Sequence, residues 1–201
     1  MKVDEWLALF RENRNKKLFT LSDLVLLTGD KRSSLSVQLS RLVGSGVIER
    51  PVRGWYANPF APPSDEELAM VIRQPSYFSL EYALARHGVL SQTVHVHTLV
   101  TTRLPYTFRM GRRVFEYHQV KRDLCRGYQK EGYVLVAEPE KALLDLIYVR
   151  LVRGRDMGRG ALDSLVDDMY LEELDHKRLS QHAEGFDAKT RGVLSEIIGE
   201  A

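Results

Sequence analysis

A proline-rich stretch divides the chain into two parts of unequal length. It runs from Asn58 to Asp65 and holds three prolines within five positions. Proline lacks a backbone N–H, so such a stretch disfavours a helix and cannot join a central strand. We therefore predict a first domain at 1–58, a linker and lead-in at 59–74, and a second domain at 75–201. Both domains have ordinary sizes.

Two helices are predicted at the start of the first domain. Apolar residues recur at helical spacing within 3–10. Thr20 predicts the start of a second helix, because Asp23 follows three residues later in the position of a capping-box partner. Leucine and valine side chains within 21–27 supply its apolar face.

A third helix and a hairpin complete this domain. After the turn at 28–30, where Asp30 is expected to cap, a helix is predicted from about residue 31 to residue 44. Its apolar stripe is centred on Leu35 and Leu39. Residues 47–57 then alternate as two short strands around a tight turn. Three helices followed by a small hairpin form a winged helix-turn-helix.

The remainder predicts a mixed domain whose final third is helical. A proline at the first turn, Pro139, suits the start of a long apolar helix. The fold class is thus α+β: an N-terminal winged helix-turn-helix followed by a mixed α+β domain with a helical C-terminal third. The predicted elements are a helix at 79–87, strands at 94–102, 106–110, 114–120 and 132–137, a helix at 139–152, and two or three amphipathic helices from about residue 159.

The net charge of +2 conceals strong segregation along the chain. Residues 1–60 carry +4, 61–98 carry −2, 99–130 carry +6 and 131–201 carry −6. Positive charge concentrated in 1–60 and 99–130 is typical of a protein that contacts nucleic acid. The single cysteine excludes a disulfide scaffold and a cysteine-rich zinc site, and it favours the reducing cytoplasm. We expect no secretory signal, no transmembrane span and no membrane partner.

The third helix presents an outward face without a single acid. Its chemistry suits the major groove: Arg41 could pair with guanine, Gln38 with adenine, and Val37 could contact a thymine methyl. Serines near the helix start could bind phosphate oxygens together with backbone amides. The predicted DNA-binding residues are Lys31, Arg32, Ser33, Ser34, Val37, Gln38, Ser40 and Arg41 on the helix, with Arg50 and Arg53 on the wing. A winged helix can also serve as a protein-docking module, and that alternative stays open.

A second basic stretch interleaves cations with aromatic residues. Strands of this kind usually bury the aromatic face and expose the charged one to solvent. A positive surface there could hold a DNA backbone, an RNA or an acidic partner. The candidate basic residues are Arg103, Arg109, Arg112, Arg113, Lys121, Arg122 and Arg126, and the interleaved rings are Tyr106, Phe108, Phe115, Tyr117 and Tyr128.

Three further patterns admit catalytic or metal chemistry. Glu140 and Lys141 form the acid–lysine end of a nuclease motif, for which Glu116 is the nearest upstream acid. A metal-dependent nuclease is therefore an alternative, although Glu140 also suits the first turn of a helix. His95 and His97 alternate as metal ligands do, but no cysteine or carboxylate nearby completes a site. Cys125 has no partner histidine and is expected to be a small buried residue.

Several longer motifs resemble the AbiEi-type antitoxins of abortive-infection systems. These proteins belong to type IV toxin–antitoxin modules. The resemblance covers about residues 5–150. It rests on the motifs at 75–84, 87–88, 100–103, 115–117 and, most specifically, 137–146 (Ala-Glu-Pro-Glu-Lys-Ala-Leu-Leu-Asp-Leu).

The resemblance implies a non-enzymatic protein with two roles and no cofactor. Its winged helix would bind inverted repeats in the double-stranded DNA of its own promoter and repress the operon. Its second domain would counteract a nucleotidyltransferase-like toxin without requiring a stable complex. Some relatives lack an adjacent toxin and act as stand-alone regulators of viral defence, and this chain could do the same.

Overall fold

The computed structural model describes residues 1–152, 164 and 166–199. The chain forms two compact units, Met1–Ile72 and Arg73–Ala201. The predicted α+β class with a helical C-terminal end is confirmed. Within the described ranges, no helix is both long enough and apolar enough to cross a membrane.

The first unit is a helical domain closed by a small two-stranded sheet. Trp6, Phe10 and Leu39 are among the buried side chains of its core. Its elements are α1 (Val3–Glu12), β1 (Leu18–Thr20), α2 (Leu21–Thr28), α3 (Arg32–Gly44), β2 (Trp55–Ala57) and α4 (Asp65–Ile72). Helix α4 therefore occupies the second half of the stretch expected to be linker and lead-in.

Local sequence signals explain how α2 begins and ends. The Thr20 side chain accepts from the Asp23 backbone N–H at 3.1 Å, while Asp23 accepts from the Thr20 N–H at 2.7 Å. This reciprocal capping box confirms the predicted start. Gly29 ends the helix in the left-handed conformation, with φ of 71°. The expectation that Asp30 caps α3 is wrong, because Asp30 belongs to the preceding turn and Lys31 is the N-cap residue.

The predicted wing is only partly a hairpin. Its tight turn forms, with Gly54 at φ of 89° and the Trp55 N–H donating to the Val52 carbonyl at 3.0 Å. The first predicted strand is wrong, because the N–H groups of Val47 and Ile48 turn back to Leu42 at the end of α3. The second strand, β2, pairs instead with β1, a short strand that the sequence did not predict.

Asn58 fixes the end of β2 against the rest of the first unit. Its side chain is fully buried. The amide nitrogen lies 3.0–3.1 Å from the carbonyl oxygens of Phe10, Asn13 and Lys16, and the amide oxygen accepts from the Phe60 N–H at 3.0 Å. The proline-rich stretch therefore begins at a residue that is part of the first core.

The second unit is built on a six-stranded mixed sheet, with β5 and β7 as its two edge strands. The strand order is β5-β6-β4-β3-β8-β7. The β3–β8 and β4–β6 pairs are parallel, and the other three are antiparallel. The strands are β3 (Ser76–Phe78), β4 (Val96–Thr101), β5 (Tyr106–Met110), β6 (Arg113–Gln119), β7 (Tyr128–Glu131) and β8 (Val134–Ala137).

Helices of this unit confirm most of the remaining pattern. The helices are α5 (Leu80–Arg86), α6 (Pro139–Leu146), α7 (His176–Ala183) and α8 (Ala188–Gly199). Helix α6 begins at the predicted proline and continues as a π-helix over Ile147–Val152, and a 3₁₀ turn spans Leu171–Glu173. The predicted start of the C-terminal helices near residue 159 lies outside the described residues. Strands β3 and β7 were not predicted.

Candidate nucleic-acid interface

Helix α3 exposes the face that its sequence predicts. Leu35, Leu39 and Leu42 are buried on the inner side. The outward residues are all exposed, and they are Lys31, Arg32, Ser33, Ser34, Val37, Ser40 and Arg41. Arg41 lies ten positions after Lys31, so cations stand at both ends of a face about 15 Å long. No acid lies on the helix.

Among α1, α2 and α3, helix α3 is the one that begins with neither a capping side chain nor an acid in its first turn. Lys31 makes no side-chain cap hydrogen bond, and the first turn is free of acids. The backbone N–H groups of Arg32, Ser33 and Ser34 have no hydrogen-bond partner among the described residues. By contrast, α2 begins with a complete capping box. Unsatisfied N–H groups and the positive end of the helix dipole attract anions, phosphate above all.

Gln38 differs from the other predicted readers because its side chain is already engaged. Its amide oxygen accepts from the Trp6 indole N–H at 3.1 Å and from the Met1 amine at 2.9 Å. Its amide nitrogen donates to the Ser34 hydroxyl at 3.1 Å. The sequence did not reveal these contacts, because Trp6 lies on α1, 32 residues away.

The wing places two further cations at the surface. Arg53 lies in the tight turn beside Gly54 and is exposed. Arg50 is also exposed, and its guanidinium stands 5.7 Å from the centre of the Tyr56 ring. The turn forms although the first wing strand does not, so both arginines remain available to solvent.

The basic stretch of the second unit divides into separate groups. All seven predicted cations are exposed. Arg109, Arg112 and Arg113 lie at the tip of the β5–β6 hairpin, whereas Arg103 and Lys121 follow the far ends of β4 and β6. The length of β6 between the two groups is about 20 Å. The remaining two cations, Arg122 and Arg126, follow beyond Lys121.

The aromatic residues between these cations are only partly buried. Phe115 and Tyr117 on the inner strand β6 are buried, as expected. Tyr106 and Tyr128 are exposed, because they stand on the two edge strands β5 and β7. Edge strands have no neighbour on one side to cover their side chains.

The candidate nuclease residues are not assembled into a catalytic group. Lys141 is 1% exposed and forms an ion pair with the fully buried Asp145. Asp145 also accepts from the hydroxyls of Tyr77 at 2.9 Å and Ser79 at 2.8 Å. Burial lowers the pKa of Lys141, and the ion pair with Asp145 opposes that effect. Burial likewise raises the pKa of Tyr77 well above its ordinary value, as does the Asp145 charge.

The two carboxylates of the nuclease hypothesis have other contacts. One oxygen of Glu140 accepts from the backbone N–H of Asp175 at 2.9 Å. Glu116 lies on β6, with its carboxylate 4.0 Å from the Arg150 guanidinium and 3.6 Å from the His118 ring. The described residues include no group of three His, Cys, Asp or Glu that could hold a metal ion.

Two of the three remaining candidates, His97 and Cys125, lie in partly buried positions. The His97 ring stacks on Tyr82 at 5.0 Å and on Phe115 at 4.9 Å between ring centres, while His95 is exposed. Cys125 is half-buried and not fully buried as expected. Burial raises the pKa of its thiol, which keeps the group protonated and weakly reactive.

The helix-turn-helix segment also has a known counterpart. Residues 8–59, from within α1 to just beyond β2, match a family model described as a transcriptional regulator, AbiEi antitoxin. Over these residues the chain is similar to the AbiEi antitoxin regulators. The match confirms the predicted resemblance for the winged helix. All the motifs quoted for the resemblance lie between 75 and 146, outside the matched residues. A comparison with curated proteins gives no match.

Proposed function

We propose that the protein is a DNA-binding transcriptional repressor that acts in the cytoplasm on its own promoter and serves as an antitoxin. The AbiEi match supports the regulator and antitoxin class. In this proposal the second unit counteracts a nucleotidyltransferase-like toxin without forming an obligatory complex, and no cofactor or catalytic residue takes part.

The acid-free, uncapped face of α3 is the observation that carries the DNA-binding proposal. The N–H groups at the start of the helix, with Ser33 and Ser34, would bind phosphate oxygens, and Lys31 and Arg32 would neutralise phosphates there. Arg41 would pair with guanine, since it is exposed and forms no ion pair with any described residue. Without a DNA partner, these exposed serine, lysine and arginine side chains would only be in contact with water.

The other predicted residues take supporting roles. Val37 is 53% exposed, and an aliphatic side chain on a polar face is suited to a thymine methyl. Ser40 donates to the Ser36 carbonyl and keeps its lone pairs available as acceptors. We assign Gln38 to holding α1 against α3, because the Trp6 contact already uses its amide oxygen. Arg50 and Arg53 would contact the DNA backbone or the minor groove beside the helix.

Three variants separate base reading from charge. We would titrate each variant with the protein's own upstream DNA and with a scrambled sequence. Arg41→Ala should lose about 1–3 kcal/mol of binding free energy for the upstream DNA and none for the scrambled sequence. Arg32→Ala should weaken binding to both DNAs and lower by about one unit the slope of log binding constant against log salt concentration. Lys189→Ala, an exposed cation on α8, is the matched control and should change neither.

Failure of the wild-type protein to retard any DNA at low salt would contradict the proposal and favour a protein-docking winged helix. Cleavage of the DNA in the presence of Mg²⁺ or Mn²⁺ would instead favour the nuclease alternative. We do not expect cleavage, because Lys141 is buried and the carboxylates of Glu116 and Glu140 have other contacts.

The antitoxin role needs a test of its own. A nucleotidyltransferase-like reading frame next to this gene should arrest growth when expressed alone and not when the full chain is co-expressed. Replacing Arg109, Arg112 and Arg113 together with alanine tests whether the hairpin group contributes, with repression measured in parallel. Without any such reading frame, the stand-alone regulator becomes the better description.

A further inference from the structure

The two edge strands of the sheet in the second unit differ in how well they resist pairing. An edge strand offers unpaired backbone groups to another chain, and native edges are usually protected by charges, above all lysine. Strand β7 carries Lys130 and Glu131. Strand β5 has the sequence Tyr-Thr-Phe-Arg-Met, with a single charge, and the preceding Leu104 is 71% exposed. The edge at β5 is therefore the less protected one.

The hairpin turn fixes which backbone groups of β5 face outward. Met110 pairs with Arg113 across a two-residue loop, so these two residues form the closing hydrogen-bonded pair. Hydrogen-bonded and non-hydrogen-bonded pairs alternate along an antiparallel ladder. Tyr106, Phe108 and Met110 therefore bond to β6. The N–H and C=O groups of Thr107 and Arg109 point to the open edge.

We propose that β5 pairs antiparallel with β5 of a second copy of this chain, with the two-fold axis at Phe108. In this register Thr107 of each copy exchanges two hydrogen bonds with Arg109 of the other, giving four in all. Phe108 faces its own counterpart in a non-hydrogen-bonded position, where side chains approach most closely. The surface is self-complementary, as a two-fold interface requires.

Side chains on both faces of the sheet favour this register. On one face Phe108 packs against Phe115 at 6.2 Å between ring centres, so pairing extends this to a row of four phenylalanine rings. Tyr106 would face Met110 of the second copy, a favourable sulfur–aromatic contact. No like charges stand opposite each other in the five paired positions.

Charge complementarity on the other face identifies the occupant as a second copy. Thr107 stands directly opposite Glu116 on β6, so both side chains share a face. In the proposed register Arg109 of the second copy comes next to Thr107 on that same face, two strands or about 10 Å from Glu116. Its long side chain can pass over the small threonine to reach the carboxylate. Arg109 forms no ion pair with any described residue of its own chain, so it is available for this contact.

Engineered cysteines test the register directly. In a Cys125→Ala background, which removes the only native thiol, Phe108→Cys should form a disulfide-linked dimer on mild oxidation. Thr107→Cys is the matched control, because its neighbour across the axis is Arg109, and it should give no covalent dimer. Absence of a dimer from Phe108→Cys, or equal cross-linking of both variants, would overturn the proposal.

Sedimentation without DNA tests the pairing itself, independently of the repressor proposal. The wild-type full chain should show a concentration-dependent dimer. Thr107→Pro removes an outward N–H that the β5–β6 ladder does not use, and it should abolish the dimer. Lys130→Pro makes the equivalent change at the β7 edge and should leave the dimer intact. A wild-type monomer up to the solubility limit, or equal effects of the two prolines, would contradict the proposal. If Thr107→Pro fails to fold, the cysteine comparison decides the question.

Discussion

Replacing Asn58 with alanine should destabilise the first unit far more than its place in a proline-rich stretch suggests. The side chain bonds three carbonyl oxygens, of Phe10, Asn13 and Lys16, and accepts from the Phe60 N–H. Each bond contributes about 0.5–1.5 kcal/mol net, and truncation leaves buried groups unpaired. We expect a loss of about 3 kcal/mol.

That loss is large for a unit of this size. A unit spanning Met1–Ile72 has a typical stability of about 4–11 kcal/mol. A loss of about 3 kcal/mol would lower the melting temperature by roughly 12–24 °C. Asn58→Asp should be worse than Asn58→Ala, although it is nearly isosteric. It cannot donate to the three carbonyls, and it buries a carboxylate among their oxygens.

The sequence supplies a convenient reporter for this measurement. Both tryptophans, Trp6 and Trp55, lie in the first unit, so urea unfolding followed by tryptophan fluorescence reports on that unit. Asn15→Ala is the matched control, since Asn15 is exposed, and it should change stability by less than about 0.5 kcal/mol. A loss below about 1 kcal/mol for Asn58→Ala, or a smaller loss for Asn58→Asp than for Asn58→Ala, would contradict this expectation.

Two further predictions concern the second unit. Lys141→Met should cost about 3–5 kcal/mol in urea unfolding followed by circular dichroism, because it leaves the buried Asp145 carboxylate without its cation. The double variant Lys141→Met/Asp145→Leu should recover most of that loss, and a single variant as stable as the exposed control Lys177→Met would refute the account. The pKa of Glu138 is lowered by its hydrogen bond from Gln129 and then by His182, so its contribution to stability is present above its ordinary pKa and is lost as pH falls through the lowered value. The stability advantage of wild type over Glu138→Gln should therefore shrink as the pH falls below about 4, and an advantage that is constant with pH would contradict this.

Features encoded by neighbouring residues were predictable from the sequence. The capping box at Thr20, the glycine that ends α2, the proline that begins α6 and the five residues of β5 all lie where the local pattern indicates. The acid-free face of α3 was equally accessible, because helical periodicity alone decides which of its side chains point outward.

Features that depend on distant partners were not predictable. The three residues of β1 are too few for a periodic pattern, and they form a strand only because β2 lies beside them. Likewise β3 is buried on both faces and shows no alternation. Gln38 looked like any outward glutamine, and only the position of Trp6 reveals its contacts. Lys141 looked catalytic until Asp145, one helical turn later, proved to be its partner.

The uncapped N-terminus of α3 implies a trade-off between the stability of the folded protein and its affinity for DNA. Serine and aspartate are strongly preferred at helix N-caps, and introducing one at Lys31 is a routine way to gain about 1 kcal/mol. Here the new side chain would occupy the N–H groups that we assign to phosphate and would remove a cation. A search for more heat-resistant variants of this protein would therefore tend to select poorer repressors. In our proposal, the phosphate groups of DNA bind the N–H groups that an N-cap side chain binds in other helices.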